Sequence, residues 1–234
     1  MQRMSPTSIK AVLFDLDDTL WPLEAVIKRA ESTLYDWLSV HAPGITQRFT
    51  QDGLRALRAE ILPTEARYRH DLWALRHATL VRACEECNED SVRMLEAMVV
   101  FSAARNAVTP FDDVAPGLAN LGRQYLIGSI SNGFADLEAI GLAHHFKTSL
   151  AAHQFGAAKP DASIFLAACD ALQVAPHEAL YVGDDPHLDV EGAQKAGLQA
   201  GWMNRFDRPF PDGIVPNARF TSLHDIDLWL QQTV

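Results

Sequence analysis

The chain has 234 residues, 48% hydrophobic and 21% charged, with 20 Lys and Arg against 30 Asp and Glu for a formal net charge of -10. This composition excludes a disordered or collagen-like chain, and the acidic balance argues against an extended nucleic-acid or anionic-membrane footprint. No run of about 18 apolar residues occurs, and the opening MQRMSPTSIK carries charge without an apolar segment behind it, so a cytoplasmic protein with no membrane span is expected.

The first predicted element is a buried strand around Val12, Leu13 and Phe14, ending abruptly at three carboxylates, Asp15, Asp17 and Asp18. From Leu23 the spacing changes to Val26, Ile27, Ala30, Leu34, Trp37 and Leu38, one face of a helix that HAPG (41–44) stops. The same period runs through Leu54, Leu57 and Ile61, then Tyr68, Leu72, Leu75, Thr79 and Ala83, then Val92, Leu95, Val99 and Ser102. Residues 21–107 therefore read as about four helices and no strand. Cys84 and Cys87 share a helical face there, with His70 and His77 as the only nearby further ligands, and packed thiols are expected rather than zinc.

After TPFDDVAPG the pattern alternates: a strand at 125–130, a helix from Phe134, a strand near Ser149, a helix from Asp161, a strand at 180–182, a helix to Ala196 and a strand near Ala200. The Pro-rich stretch 205–216 reads as a surface loop before a last helix at 223–230. Such alternation predicts an α/β fold with a parallel sheet. The first strand is cut off from the rest by the helical block, so the expected organisation is a core of residues 1–20 and 108–234 with an inserted helical domain over 21–107.

Four polar groups fall where core strands end: Asp15, Asp17 and Thr19; Ser131, Asn132 and Gly133; Lys159; and Asp184, Asp185 and Asp189. Each alone is ordinary turn or helix-capping chemistry. Together they lie on the edge of a parallel sheet where ligands bind. Carboxylates on two strand ends suit a hard divalent ion such as Mg²⁺, which takes carboxylates, waters and a substrate phosphate.

The segments FDLDDTL, SISNG, KPDASIF and YVGDDPHLDVEGAQKAG resemble, in order, the four motifs of the haloacid dehalogenase-like hydrolase superfamily. The resemblance implies a Rossmann-like parallel sheet with helices on both faces and an inserted all-helical cap. It further implies a phosphatase in which Asp15 attacks phosphorus to give an aspartyl-phosphate. Asp17 would be the general acid and later the base, its protonated form favoured by the carboxylates around it. Mg²⁺ would be held by Asp15, Asp184 and the backbone carbonyl of Asp17. Lys159 would neutralise the phosphoryl oxygens, with Ser131, the Asn132 N–H, Gly133 and Thr19 around the phosphate, and Asp189 would orient Lys159 or a metal-bound water. Asp185 is a possible outer acid, and Asp18 a cap or hydrogen-bonding residue.

The second acid, Asp17, sets phosphatases and phosphomutases apart from the dehalogenases of this superfamily. The finer resemblance is to bacterial flavin mononucleotide and nucleotide phosphatases, so the expected partner is a small phosphorylated metabolite, FMN or a nucleoside monophosphate first. A phosphomutase, or a silent binding protein of this fold, are the alternatives. In the helical block Arg67, Arg69, His70, Trp73, Arg76 and His77 could face the substrate, although a solvated face is the commoner outcome. Trp21 is expected to pack between cap and core, and both monomer and homodimer are compatible with the sequence.

Overall fold

A strand with no exposed residue needs cover on both faces, and its pleat sends alternate side chains to opposite sides. Strand β1 (Ala11–Phe14) is such a strand. The computed structural model describes residues 9–232. After β1 the chain forms α1 (Leu23–His41), α2 (Pro43–Arg48), α3 (Gln51–Ile61), α4 (Leu72–Cys87) and α5 (Met94–Asn106). It continues through α6 (Val114–Leu121), β2 (Leu126–Ser131), α7 (Leu137–Ile140), β3 (Thr148–Ala151), α8 (Ala152–Phe155) and α9 (Ala162–Leu172). It ends with β4 (Ala179–Gly183), α10 (Gly192–Lys195), β5 (Gln199–Met203), β6 (Ala218–Phe220) and α11 (Leu223–Gln232).

Among the described residues, six strands form one parallel sheet in the order β3-β2-β1-β4-β5-β6. Val12 and Phe14 pack on one face with Leu118, Leu121, Leu223 and Ile226 of α6 and α11. Ala11 and Leu13 pack on the other with Ile164, Phe165 and Ala168 of α9. Helices thus cover both faces, as a parallel sheet requires.

The strand order reverses at β1. The chain builds β2 and β3 on one side, then crosses to β4 on the other, which leaves a crevice at the carboxyl ends of β1 and β4. Phe14 lies level with both Ser129 and Val182, so the segments after β1, β2 and β4 emerge side by side.

Leu23–His41 to Met94–Asn106 is helical, with a buried cluster of its own that includes Leu34, Leu38, Ile45, Leu80, Met98 and Phe101. The expected face of α5 is out of phase with the structure. Met94, Ala97, Met98, Phe101 and Arg105 point inward, whereas Val92, Leu95 and Val99 are 72%, 57% and 68% exposed. The run MLEAMVVFSAAR is apolar on several sides, so its period does not select a face and packing against α1 decides.

Three other elements depart from expectation. The helix expected from Phe134 is the single turn α7, ended by Gly141 in the left-handed region at φ 85°. The helix expected up to Ala196 is a wide turn over Pro186–Glu191 followed by the short α10. The edge strand β6, three residues long, falls in a stretch with no strand expectation. Met98→Ala should cost about 2–5 kcal/mol of stability, and Val99→Ala less than about 0.5 kcal/mol. Urea unfolding of the two variants checks this assignment of the α5 face.

Candidate active site

Asp15 follows the central strand, and its N–H donates to the Val182 carbonyl at 2.9 Å, which ties it to β4. Its Oδ1 accepts from Lys159 Nζ at 2.5 Å, and its Oδ2 from Thr19 Oγ1 at 3.4 Å. The same ammonium donates to Asp189 Oδ1 at 2.7 Å and to the Tyr181 hydroxyl at 2.9 Å. All three donors of a lysine are thereby used, in a place where each of the four residues is buried. Burial opposes the charge on Lys159, but Asp15 and Asp189 hold its ammonium well above the usual lysine range.

Lys159 is held from the other side of β1 by Asn132, which follows β2. The Asn132 side chain accepts from the Lys159 N–H at 2.8 Å and donates to its carbonyl at 3.0 Å. Its amide is therefore occupied in holding backbone, and Ser131 Oγ meanwhile accepts from Gly133 N–H at 3.0 Å. The short loop after β2 thus brings Ser131, Asn132 and Gly133 beside Lys159.

The segment after β4 carries Asp184, Asp185 and Asp189. A Cβ on Gly183 would lie 2.3 Å from the carboxyl carbon of Asp189, so only glycine leaves room for that carboxylate beside Lys159. Asp189 Oδ2 accepts from the Asp185 N–H at 2.9 Å. Asp185 itself is a cap, accepting from the N–H groups of His187 and Leu188 at 2.8 Å each. Asp184 is pushed up to about 7 by burial and by the nearby Asp189 and Asp18 carboxylates.

Asp18 sits in the left-handed region at φ 59°, and its Oδ1 caps α1 by accepting from Leu23 N–H at 2.8 Å. Its other oxygen pairs with Arg208 Nη2 at 2.9 Å, while Arg208 Nη1 reaches Asp184 Oδ2 at 3.0 Å. Arg208 belongs to the loop after β5 and bridges two acids that sequence spacing does not connect.

Asp17 departs from expectation. Carboxylates were expected around it, but both its oxygens lie 2.6 Å from Arg105 Nη2, and Oδ1 also accepts from the Trp21 indole N–H at 2.8 Å. Trp21 is fully buried, as a packing residue would be, and at the same time holds an acid of the site.

Asp15, Asp17, Asp18, Ser131, Asn132, Gly133, Lys159, Asp184, Asp185 and Asp189 line one cleft, with Thr19 behind Asp15. The helical block contributes Leu23 and Leu72 to its lining, and none of the basic and aromatic series that could have faced a substrate is among the lining residues. Arg76 instead turns inward, pairs with Glu31 at 3.3 Å and lies over the Phe101 ring. Trp73 stacks on His77, and Arg67 pairs with Glu65 at 2.7 Å.

Carboxylate oxygens of Asp15, Asp184 and Asp189 lie within 4.8 Å of one another, a hard-oxygen set able to hold a divalent ion. Asp189 differs from the other two because Lys159, Tyr181 and the Asp185 N–H already engage it. Sequence reasoning missed Tyr181, Arg105 and Arg208. Arg105 had left a signal: with the correct face of α5, it is a charge in line with the apolar stripe of Met98 and Phe101.

Gly183→Ala should displace Asp189 and leave Lys159 short of a partner. A cost of at least about 1–3 kcal/mol from overpacking alone is expected, with the lost partner of Lys159 adding to it, read as a lower urea midpoint at unchanged m-value.

A family model described as haloacid dehalogenase-like hydrolase matches residues 9–197. The chain is 31% identical to the 5-amino-6-(5-phospho-D-ribitylamino)uracil phosphatase YigB of Escherichia coli, over 83% of either chain. It is 30% identical to the phosphoserine phosphatase of Thermus thermophilus, over 94% of this chain and 98% of the other. Among solved structures, a 2-haloacid dehalogenase from Pseudomonas syringae superposes with a TM-score of 0.91 at 35% identity, covering 97% of this chain and 100% of that one.

Proposed function

The chain belongs to the haloacid dehalogenase-like hydrolase family, and on that footing we propose that it is a Mg²⁺-dependent phosphatase of a small phosphorylated metabolite. The observation that carries this reading is the convergence of Asp15, Asp17, Ser131, Lys159 and Asp184 on one cleft at the carboxyl ends of β1, β2 and β4.

In this reading Asp15 is the nucleophile. A carboxylate approaching a phosphate dianion is repelled, so positive charge must be in place before in-line attack. Lys159 supplies part of it, held at 2.5 Å from Asp15. Ser131 and the Asn132 N–H bind phosphoryl oxygens. Asp17 protonates the departing alkoxide and then takes a proton from the water that cleaves the phosphorylated Asp15. Asp15, Asp184 and the Asp17 carbonyl would hold Mg²⁺, with Asp189 orienting its surroundings. When bound, the ion neutralises phosphoryl charge as a Lewis acid.

The helical block acts as a cap over the cleft and offers it Leu23 and Leu72, beside Leu188 of the core. Apolar walls next to a phosphate site suit an ester whose alcohol part has an apolar or ring surface. The relatives named above as phosphatases of a ribitylaminouracil and of phosphoserine support a small-metabolite ester.

The 2-haloacid dehalogenase among the similar structures favours a second reading, since carboxylate attack on carbon begins in the same way. A halide, however, leaves as a stable anion and needs no proton. In that first step Asp17, aimed into the cleft and held by two donors, has a proton to give only when the leaving group is an alkoxide.

p-Nitrophenyl phosphate should be hydrolysed in Mg²⁺, with turnover abolished by EDTA and reduced at least about 10³-fold in Asp15→Asn. Turnover of 2-chloropropionate without release of phosphate from any ester would favour the dehalogenase. A panel of FMN, nucleoside monophosphates, sugar phosphates and phosphoserine then ranks substrates.

Metal binding should depend on pH. Asp184, at about 7 without metal, is mostly protonated at pH 6 and mostly ionised at pH 8. The ion must displace that proton at the lower pH, so calorimetry should find Mg²⁺ bound about tenfold more tightly at pH 8 than at pH 6. Equal affinity at the two values would remove Asp184 from the ligand set.

A further inference from the structure

We infer that Arg105 is a positioning residue that fixes the Asp17 carboxylate in the cleft from the point where the chain leaves the helical block. The inference rests on the role of Asp17 in the phosphatase reading. Arg105 lies in the last turn of α5, 1% exposed, with Nη2 at 2.6 Å from each Asp17 oxygen. Trp21, just before α1, adds its indole N–H at 2.8 Å. The two donors therefore come from the two places where the chain enters and leaves the helical block. No other side chain of that block donates to an acid of the cleft among the described residues.

The guanidinium is poorly explained as a stabilising contact. It occupies an apolar stripe with Met98 and Phe101, where a hydrophobic side chain would pack without desolvating a charge. Its Nη1 is buried without a hydrogen-bond partner, which is costly. What it provides is orientation. A Cβ placed on Gly133 would lie 3.0 Å from Asp17 Oδ2, 3.3 Å from Ser131 Oγ and 3.4 Å from Arg105 Nη2. Arg105 thus holds the Asp17 carboxylate beside Ser131 and Gly133, next to the groups that bind the phosphoryl oxygens in the phosphatase reading. Without two fixed donors that carboxylate would be free to turn about its side-chain bonds, and proton transfer needs hydrogen-bond reach.

Leaving-group dependence separates this role from a structural one. p-Nitrophenolate departs without protonation, whereas an alkoxide does not, so a misplaced acid affects the two esters unequally. In Arg105→Gln, kcat for glycerol 2-phosphate should fall at least about tenfold further than kcat for p-nitrophenyl phosphate, with each KM within about twofold of wild type. Arg105→Lys, which keeps the buried charge, should recover part of the loss and serves as the reading if Arg105→Gln does not fold. In an Asp17→Asn background the Arg105 change should add no further selectivity between esters.

An equal fall for both esters, or a selective loss that persists undiminished with Asp17→Asn, would overturn the inference and leave Arg105 a structural residue. Wild-type protein that hydrolysed neither ester would instead overturn the phosphatase reading and this inference with it.

Discussion

A single buried ammonium governs the arrangement of the centre. Lys159 has one donor for Asp15, one for Asp189 and one for Tyr181, and it is buried with all three partners. Removing one partner of a buried ion pair costs about 3–5 kcal/mol, because the other charge is left uncompensated. The surrounding sequence is constrained accordingly. Asn132 clamps the Lys159 backbone, Gly183 lacks the Cβ that would evict Asp189, and β1 lies in the middle of the sheet so that Asp15 can be reached from both sides.

The sheet and the helical block divide the work. The carboxyl ends of β1 and β4 supply the acids at fixed register and the end of β2 the Asn132 that holds Lys159, which is the property expected of a rigid scaffold. The helical block has its own apolar cluster and offers the cleft mainly hydrophobic surface. Side-chain hydrogen bonds to the acids come from Trp21 and Arg105, where the chain passes between the two parts. A change in how the block sits on the core would therefore be felt first at Asp17.

Most of the site was legible in the sequence because its chemistry demands particular residue types at strand ends, and buried strands in an α/β chain are easy to place. Asp15, Ser131, Lys159 and Asp184 were found this way, and they share one cleft. What escaped has a common physical cause. Tyr181 alternates with apolar neighbours in a buried strand, and Arg105 falls in an apolar helix, so both look like packing until their partners are known. The partners of Asp17 are 4 and 88 residues away, and Arg208 is 190 residues from Asp18; no local pattern encodes such pairs. The face of α5 was misjudged for a related reason, since a helix apolar on several sides is oriented by its neighbours.

The central claim is that Asp15 is the nucleophile, and a covalent trap tests it most directly. Protein mixed with substrate and Mg²⁺, quenched in acid during turnover and digested, should yield the peptide spanning Asp15 with one added phosphoryl group, labile to hydroxylamine. Steady turnover with no acyl-phosphate on that peptide, or with the phosphoryl group on another residue, would contradict it.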